Sequence, residues 1–344
     1  MSKRDPRPSH SDPPRRAYLA DISIFWLVNL LAYIRHPYNV LLFRLKVGYL
    51  PNVARPLRYN EKMLWRKIFD HNPLFVTFTD KLATKILVSR ICPKLRVAEV
   101  LWIGDDISKI PADVLERPIV IKASHRSSKN FFPMAGEAGR DIPVDRINSW
   151  LAQAHRSEQS VALEWAYGLA ERKLFAEELI RPDTGDDLVD LSVHAADGAP
   201  VFIEAITGNK TANQRKGYFR TDGTRWPELE QKRRRFGLGP SLPEDFRLPP
   251  SYSEALVHAS RLSADVDYAR FDFIAASDRL YAGEITVYPG SGLTRHADFP
   301  VYNAVVSDHW DLSKSWFLQS RHRGMRRRYA DALGRFLNRG GDQA

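Results

Sequence analysis

Residues 268–292 read YARFDFIAASDRLYAGEITVYPGSG. Two apolar runs, rich in aromatic and β-branched residues, flank the polar dipeptide Ser277-Asp278, so the pattern predicts a hairpin of two antiparallel strands. Each run carries one acid, Asp272 and Glu284. A carboxylate inside a buried strand is costly unless it is paired or bound to a metal. Arg270 stands two residues before Asp272, and Thr286 two after Glu284. On a strand, residues two apart share a face. The hairpin would therefore gather one cation and two or three oxygen ligands on one surface, a set suited to Mg²⁺ carrying a nucleotide phosphate. The alternative is a pair of strands whose acids face solvent or pair with nearby arginines. On spacing alone that alternative leads, because acidic residues are mostly exposed.

The rest of the chain sets bounds around this hairpin. A length of 344 residues is enough for two or three packed lobes. Hydrophobic content of 44% and charged content of 27% are ordinary for a soluble globular enzyme. The single cysteine, Cys92, excludes an intrachain disulfide framework and fits a reducing compartment. The net charge is +10, and basic residues crowd residues 1–16, Lys232–Arg235 and Arg321–Arg328. Such clusters point to phosphates, acidic glycans or an anionic membrane face, or else to a solubilising surface. No zinc-finger or RNP-type signature accompanies them, so nucleic acid is not an expected partner.

Taken in order, residues 1–16 are rich in Pro, Ser and Arg and read as a disordered basic tail, not a secretory signal. Residues 17–54 form an apolar segment whose Ile22, Phe25, Trp26, Leu30 and Tyr33 follow helical spacing. It is too short, and too interrupted by Asp21 and Asn29, to read as a membrane span. It reads either as a helix on an inner membrane face or as one packed on the protein's own core or a partner. Residues 37–58 read as connecting structure. Asn60 is an expected N-cap for a helix bearing Met63, Leu64, Ile68 and Phe69, and a second helix is expected from about Thr79 to Arg90. Arg117–Lys122 reads as a buried strand ending in a lysine, before the polar loop Ser124–Asn130. Backbone amides and Lys122 at such a mouth suit a phosphate, although an edge lysine is more often simply solvated. Arg172–Ile180 reads as a strand ending on two acids, and Asp197-Gly198 as a hairpin turn. Asn209–Arg225 is a polar, basic loop, Ser253–Asp265 a helix, Tyr302–Trp316 helical, and residues 319–344 a peripheral basic tail.

The stretches YNEKMLWRKIFDHNPLF, TDKLA, VIKASH, LEWAYG, LFAEELI, DGAPVFIE, ARFDF and YAGEITVYPGSG follow one another from about Arg55 to Leu318. In this order the chain resembles ATP-grasp enzymes, and within them the TupA-like polysaccharide-biosynthesis family, of teichuronopeptide-ligase type. The resemblance implies an α+β ATP-grasp fold: an N-terminal domain over residues 55–116, a lid over 117–178 and a core over 179–318, with ATP and Mg²⁺ gripped between lid and core. It implies that Lys122 contacts the α- and β-phosphates, and that Glu177, Glu178 and Leu179 form the hinge that receives adenine. It places Asp190 near the ribose, Arg270 at the transferred phosphate, and Asp272 and Glu284 as metal ligands, with Thr286 at a third ligand position. The loop after Lys122 reads HRSSKN where the family is glycine-rich, so Arg126 and Ser128 would meet phosphate through side chains. Ser192 stands where a lysine is common, and Lys210 or Arg215 would replace that charge towards the substrate. The implied activity is ATP-dependent joining of an amine to a uronic acid or similar carboxylate through an acyl phosphate, in a cytoplasmic enzyme held near the inner membrane face. Phosphorylation of a glycan and a non-catalytic nucleotide-binding scaffold are the alternatives.

Overall fold

The structure is a computed structural model and describes residues 15–126, 129–133, 142–152, 163–182, 188–209, 211–230, 240–295 and 298–339. Its strands are β1 (Arg96–Val97), β2 (Val100–Gly104), β3 (Ile119–Ala123), β4 (Asn130–Phe131), β5 (Leu174–Glu178), β6 (Val189–Ala196), β7 (Ala199–Thr207), β8 (Arg215–Phe219), β9 (Ala269–Ala276) and β10 (Arg279–Thr286). The helices ahead of the first strand are α1 (Arg15–Arg35), α2 (Pro37–Val47), α3 (Tyr59–Phe69), α4 (Leu74–Thr79) and α5 (Lys81–Ile91). Those after it are α6 (Ala112–Leu115), α7 (Val144–Ala152), α8 (Trp165–Leu169), α9 (Tyr252–Leu262), α10 (Pro300–His309), α11 (Trp316–Gln319) and α12 (Gly324–Asn338).

The larger sheet runs β1-β10-β9-β6-β7-β8 and the smaller β2-β5-β3-β4. Both predicted hairpins form. The β6–β7 turn uses Asp197 and Gly198 at φ 46° and 79°, and Ser277 opens the β9–β10 turn at φ 54°. Left-handed dihedrals let a two-residue loop follow the strand twist. One face of the larger sheet is the main core. Leu191, Val193, Ile203, Ala205, Phe271 and Phe273 are buried there with Ala255, Ala259 and Leu262 of α9 and Phe78 of α4. Each large apolar side chain so buried is worth about 1.5–3 kcal/mol, so the register of these strands is firmly set. The alternate residues of the same strands face the other way, and they build the site.

The structure departs from the sequence reading in five places. Residues 37–47 are a helix, started by Pro37 at its first turn and ended by Gly48 at φ 103°. Asn60 does not cap α3, because the cap position is Arg58. The second helix begins at Lys81, where Asp80 accepts the Leu82 and Ala83 N–H groups, and Thr79 ends the short helix before it. The expected peripheral tail after residue 318 holds α12, whose Tyr329, Ala332 and Leu333 are buried. Strand β2, read from sequence as part of the N-terminal domain, pairs with β5 in the smaller sheet.

Candidate active site

Cross-strand register places the polar residues of the larger sheet in three rows on its open face. Paired residues share a face, with Cβ atoms about 4.5–5.5 Å apart. His194 lies opposite both Phe202 and Arg270, and Arg270 opposite Thr286. In the next row Glu204 lies opposite Tyr218 and Ser192, and Ser192 opposite Asp272. In the third, Asp190 lies between Ile206 and Ile274, and Lys216 opposite Ile206.

Glu284 reaches this face through a bulge. The β9–β10 register breaks between Ala282, opposite Phe273, and Ile285, opposite Phe271. Gly283 and Glu284 together therefore oppose Asp272, and the extra residue re-aims the side chains that follow. A Cβ on Gly283 would sit 2.7 Å from the Asp272 carbonyl oxygen, which explains the glycine. Arg270 clasps Asp272 from Nε to Oδ1 at 2.8 Å and from a terminal nitrogen to Oδ2 at 2.7 Å, and donates to Thr286 Oγ1 at 3.2 Å. Burial works against the Arg270 charge, but Asp272, Glu204 and Glu284 outweigh it and raise its pKa. Asp272 and Glu284, both partly exposed, with Thr286 beside them, fit a hard cation that keeps phosphate and water oxygens in its other positions. Among the described residues, no group of three or more His, Cys, Asp or Glu side chains is placed to hold an ion alone.

A cavity of about 300 Å³ adjoins Arg270, lined by His194, Glu204, Lys216, Tyr218, Tyr302 and the Pro289-Gly290 turn, among others. Glu204 is its buried charge. Burial would raise its pKa, yet Lys216 first and then His194 outweigh that and hold it well below the carboxylate range. Lys216 Nζ bonds Glu204 Oε2, and His194 Nε2 lies 3.4 Å from Oε1. His194 stacks on Phe202 at 4.1 Å and places Nδ1 2.7 Å from the Tyr268 hydroxyl. Its burial lowers its pKa despite Glu204.

The smaller sheet supplies a second charged cluster. Glu177, on β5, accepts from Lys122 at 2.5 Å and from Lys85 of α5 at 2.7 Å. Burial would raise its pKa; the two lysines reverse that and lower it. Glu178 N–H donates to Glu99 O, and Leu179 N–H to Pro118 O. The Glu178 and Leu179 amides of the expected adenine hinge are thus already engaged. Lys81 links the two sheets. Its Nζ donates to Arg126 O at 2.6 Å, in the loop after β3, and stands 3.9 Å from Glu284.

Helix α3 holds the turn that closes the cavity. Tyr59 OH donates to Pro289 O, Asn60 Nδ2 to Gly292 O and Thr294 O, and Lys67 Nζ to Ser291 O and Oγ. Arg66 donates to Val287 O and to Asp267, and the Arg66–Asp267 pair is fully buried. The NEKMLWRK stretch is therefore a scaffold for residues 287–294.

Of the residues expected from sequence, Arg270, Asp272, Glu284, Thr286 and Asp190 share one sheet face. Lys122 and Glu177 meet in the smaller sheet. Ser128 and Lys210 lie outside the described residues. Arg215 is not in the cavity. It precedes Lys216 on β8, so it points to the opposite face, where it is exposed and reaches Ser241 O. Lys216, His194, Glu204 and Tyr302 were missed. The one signal for the first three was the polar residue within each apolar strand, VHA, FIEA and RKGYF; Tyr302 lies on helix α10 and had none.

The chain matches the model of the TupA-like ATPgrasp family over residues 61–301. No curated protein matches it. Among similar solved structures is the ATP-grasp ligase PsnB complexed with a phosphomimetic variant of minimal precursor, Mg and ADP, at 13% identity and TM-score 0.34, covering 69% of this chain and 60% of that one. Another is the D-alanine–D-alanine ligase from Bacillus anthracis complexed with ATP, at 14% identity and TM-score 0.32, covering 67% of each chain. A third is the L-amino acid ligase from Bacillus licheniformis, at 13% identity and TM-score 0.35, covering 67% of this chain and 47% of that one. This chain thus spans less than two thirds of the first and third of these, and likeness so distant carries no argument about its chemistry.

Proposed function

We propose that this chain, which belongs to the TupA-like ATP-grasp family, is an ATP- and Mg²⁺-dependent ligase that joins a carboxylate to an amine. The observation that carries the reading is the convergence of Arg270, Asp272 and Glu284 on one sheet face beside a roughly 300 Å³ cavity. Phosphoryl transfer asks for alignment and neutral charge balance more than for a protein nucleophile. Asp272 and Glu284 would hold Mg²⁺, which would supply charge neutralisation at the transferring phosphate. Arg270 gives fixed positive charge where the phosphoryl group moves, and Lys122 and Lys81 give it from the side of the smaller sheet. Preorganised charge of this kind stabilises a transition state without reorganising at the moment of reaction.

The substrate carboxylate oxygen takes the γ-phosphoryl group of ATP as the bond to ADP breaks, giving an acyl phosphate and ADP. The amine nitrogen then attacks the carbonyl carbon, the C–N bond forms, the bond to the phosphate oxygen breaks as phosphate leaves, and the nitrogen releases a proton to water. The cavity has charged groups that suit both reactants. Lys216 brings a positive charge and Glu204 a carboxylate to its wall, beside Tyr218 and Tyr302. The reading extends to a uronic-acid or similar glycan carboxylate in cell-surface polysaccharide assembly on the cytoplasmic side.

Thermal unfolding with and without ATP and Mg²⁺ tests the nucleotide site. Wild type should be stabilised, and Glu284→Ala should lose most of that shift. Stabilisation that survives Glu284→Ala unchanged rules out the metal assignment. Incubation with candidate carboxylates, amines and ATP tests the reaction, through ADP release and product mass. A phosphorylated glycan without an amide would select a phosphotransferase instead.

A further inference from the structure

We propose that the elbow formed by α1 and α2 is an interfacial wedge that docks this protein on an anionic lipid bilayer. Among the described residues no single helix is long and apolar enough to cross a membrane, and α1 and α2 reach that composition only as a pair bent by 96°. The bend lies at His36-Pro37.

The outward faces of both helices are apolar. On α1 the exposed Leu19, Ser23, Trp26, Leu27, Leu30 and Ile34 share a face at helical spacing, with exposed Arg35 at its end. Trp26 is 74% exposed and Ile34 64%. On α2, Tyr38, Leu41 and Leu45 continue the face, with Leu45 72% exposed. The inward faces are mostly apolar as well: Phe25, Val28 and Ala32, then Val40, Phe43 and Val47, are buried, with Asp21 the one buried charge among the described residues of the two helices. A surface helix of a water-soluble fold turns its polar residues outward, and a helix apolar all round needs cover on every side. Among the described residues, ten of the seventeen exposed large apolar side chains fall between Leu19 and Leu57, so the excess is local and marks a binding surface.

Charge selects the occupant. Residues 22–60 contain no acid, but they contain Arg35, Arg44, Lys46, Arg55 and Arg58. Asp21 is buried and held by Arg335 of α12 at 2.6 and 3.1 Å. One turn before Tyr329, whose ring packs edge-on against Phe25 of α1, α12 exposes Arg326, Arg327 and Arg328. An apolar face with a uniformly basic rim complements acyl chains bordered by anionic headgroups. A two-fold contact with a second copy would bring the same basic rim against itself.

The wedge is joined to the site. Phe43 and Val47, on the inner side of α2, cluster with Leu64 and with Leu293, which ends the turn whose Pro289 and Gly290 line the cavity. On the proposed function, docking through α2 would set the turn that lines the cavity beside the lipid surface.

The test is sedimentation of the full-length protein with large unilamellar vesicles. Binding should be strong with phosphatidylglycerol–phosphatidylcholine mixtures, should weaken as salt rises, and should be at least about tenfold weaker with phosphatidylcholine alone. The triple variant Trp26→Ser, Ile34→Ser, Leu45→Ser should lose about tenfold or more in vesicle affinity, because it removes three large apolar contacts. Its melting temperature should stay near wild type, since all three side chains are exposed; Trp26→Ser alone serves as the milder variant. No vesicle binding by wild type, or binding undiminished by these substitutions, overturns the proposal. So does a wild-type dimer that the triple variant turns into a monomer while vesicle binding stays the same.

Discussion

Lys216 and Arg215 are neighbours in sequence and enter opposite surroundings, because strand side chains alternate. Lys216 pairs with buried Glu204 beside the cavity, whereas Arg215 is exposed. Removing one partner of a buried pair leaves the other charge uncompensated, and that costs more than the pair contributes. Lys216→Met should therefore destabilise the protein by about 1–3 kcal/mol in denaturant unfolding, and Arg215→Met by far less. The double variant Lys216→Met, Glu204→Gln should recover much of the loss, a coupling that a double-mutant cycle reads directly. Equal effects of Lys216→Met and Arg215→Met would contradict the register described for β8.

At the scale of elements, two backbone features aim the site. The bulge at Gly283-Glu284 turns Glu284 to the face of Asp272 and Arg270, and its glycine touches the Asp272 carbonyl. Gly283→Ala should lower stability by about 1–3 kcal/mol, the cost of overpacking a tight contact. It should also reduce the Mg²⁺-dependent shift given by ATP more than the shift given by ATP alone. The turn after β10 has its own constraint: Gly292 sits at φ 65°, and a Cβ there would lie 2.4 Å from Met63 Cγ. Gly292→Ala should loosen the turn from α3, seen as faster amide exchange at Ser291 and Leu293 with the sheet unchanged.

Across the whole molecule, pH acts in opposite directions on two buried acids. Asp70 accepts the Phe317 N–H, and burial, then Asp267, push its pKa from 3.8 up to about 7. The unfolded chain ionises this group first, so stability is full below about pH 4 and falls as pH rises to about 7. Asp70→Asn should flatten that fall in unfolding free energy measured across the interval. Glu177 works the other way. Its folded pKa lies below the ordinary 4.5, so its contribution is present above that value and is lost as pH falls through the folded one. Glu177→Gln should remove this acid-side slope while leaving the slope due to Asp70.

The sequence by itself determined what is local. Apolar alternation in ARFDF and GEITVY, with Ser277-Asp278 between them, marks two strands and a turn, and period two puts Arg270 and Asp272 together. Ordered motifs then carried the family. Only the tertiary structure decided what depends on pairing between distant segments. The bulge that brings Glu284 round exists only against β9, and the placement of Lys216 in the cavity follows from β8 pairing with β7. Helix α12 reads as a basic tail until Tyr329 and Phe336 meet Phe25 of α1. The apolar residues of α1 read alike in sequence, and the fold alone separates Phe25 and Val28, which it buries, from Trp26 and Leu30, which it leaves outside. A side chain's chemistry is written in the chain, but its partners are set by contacts between residues far apart along it.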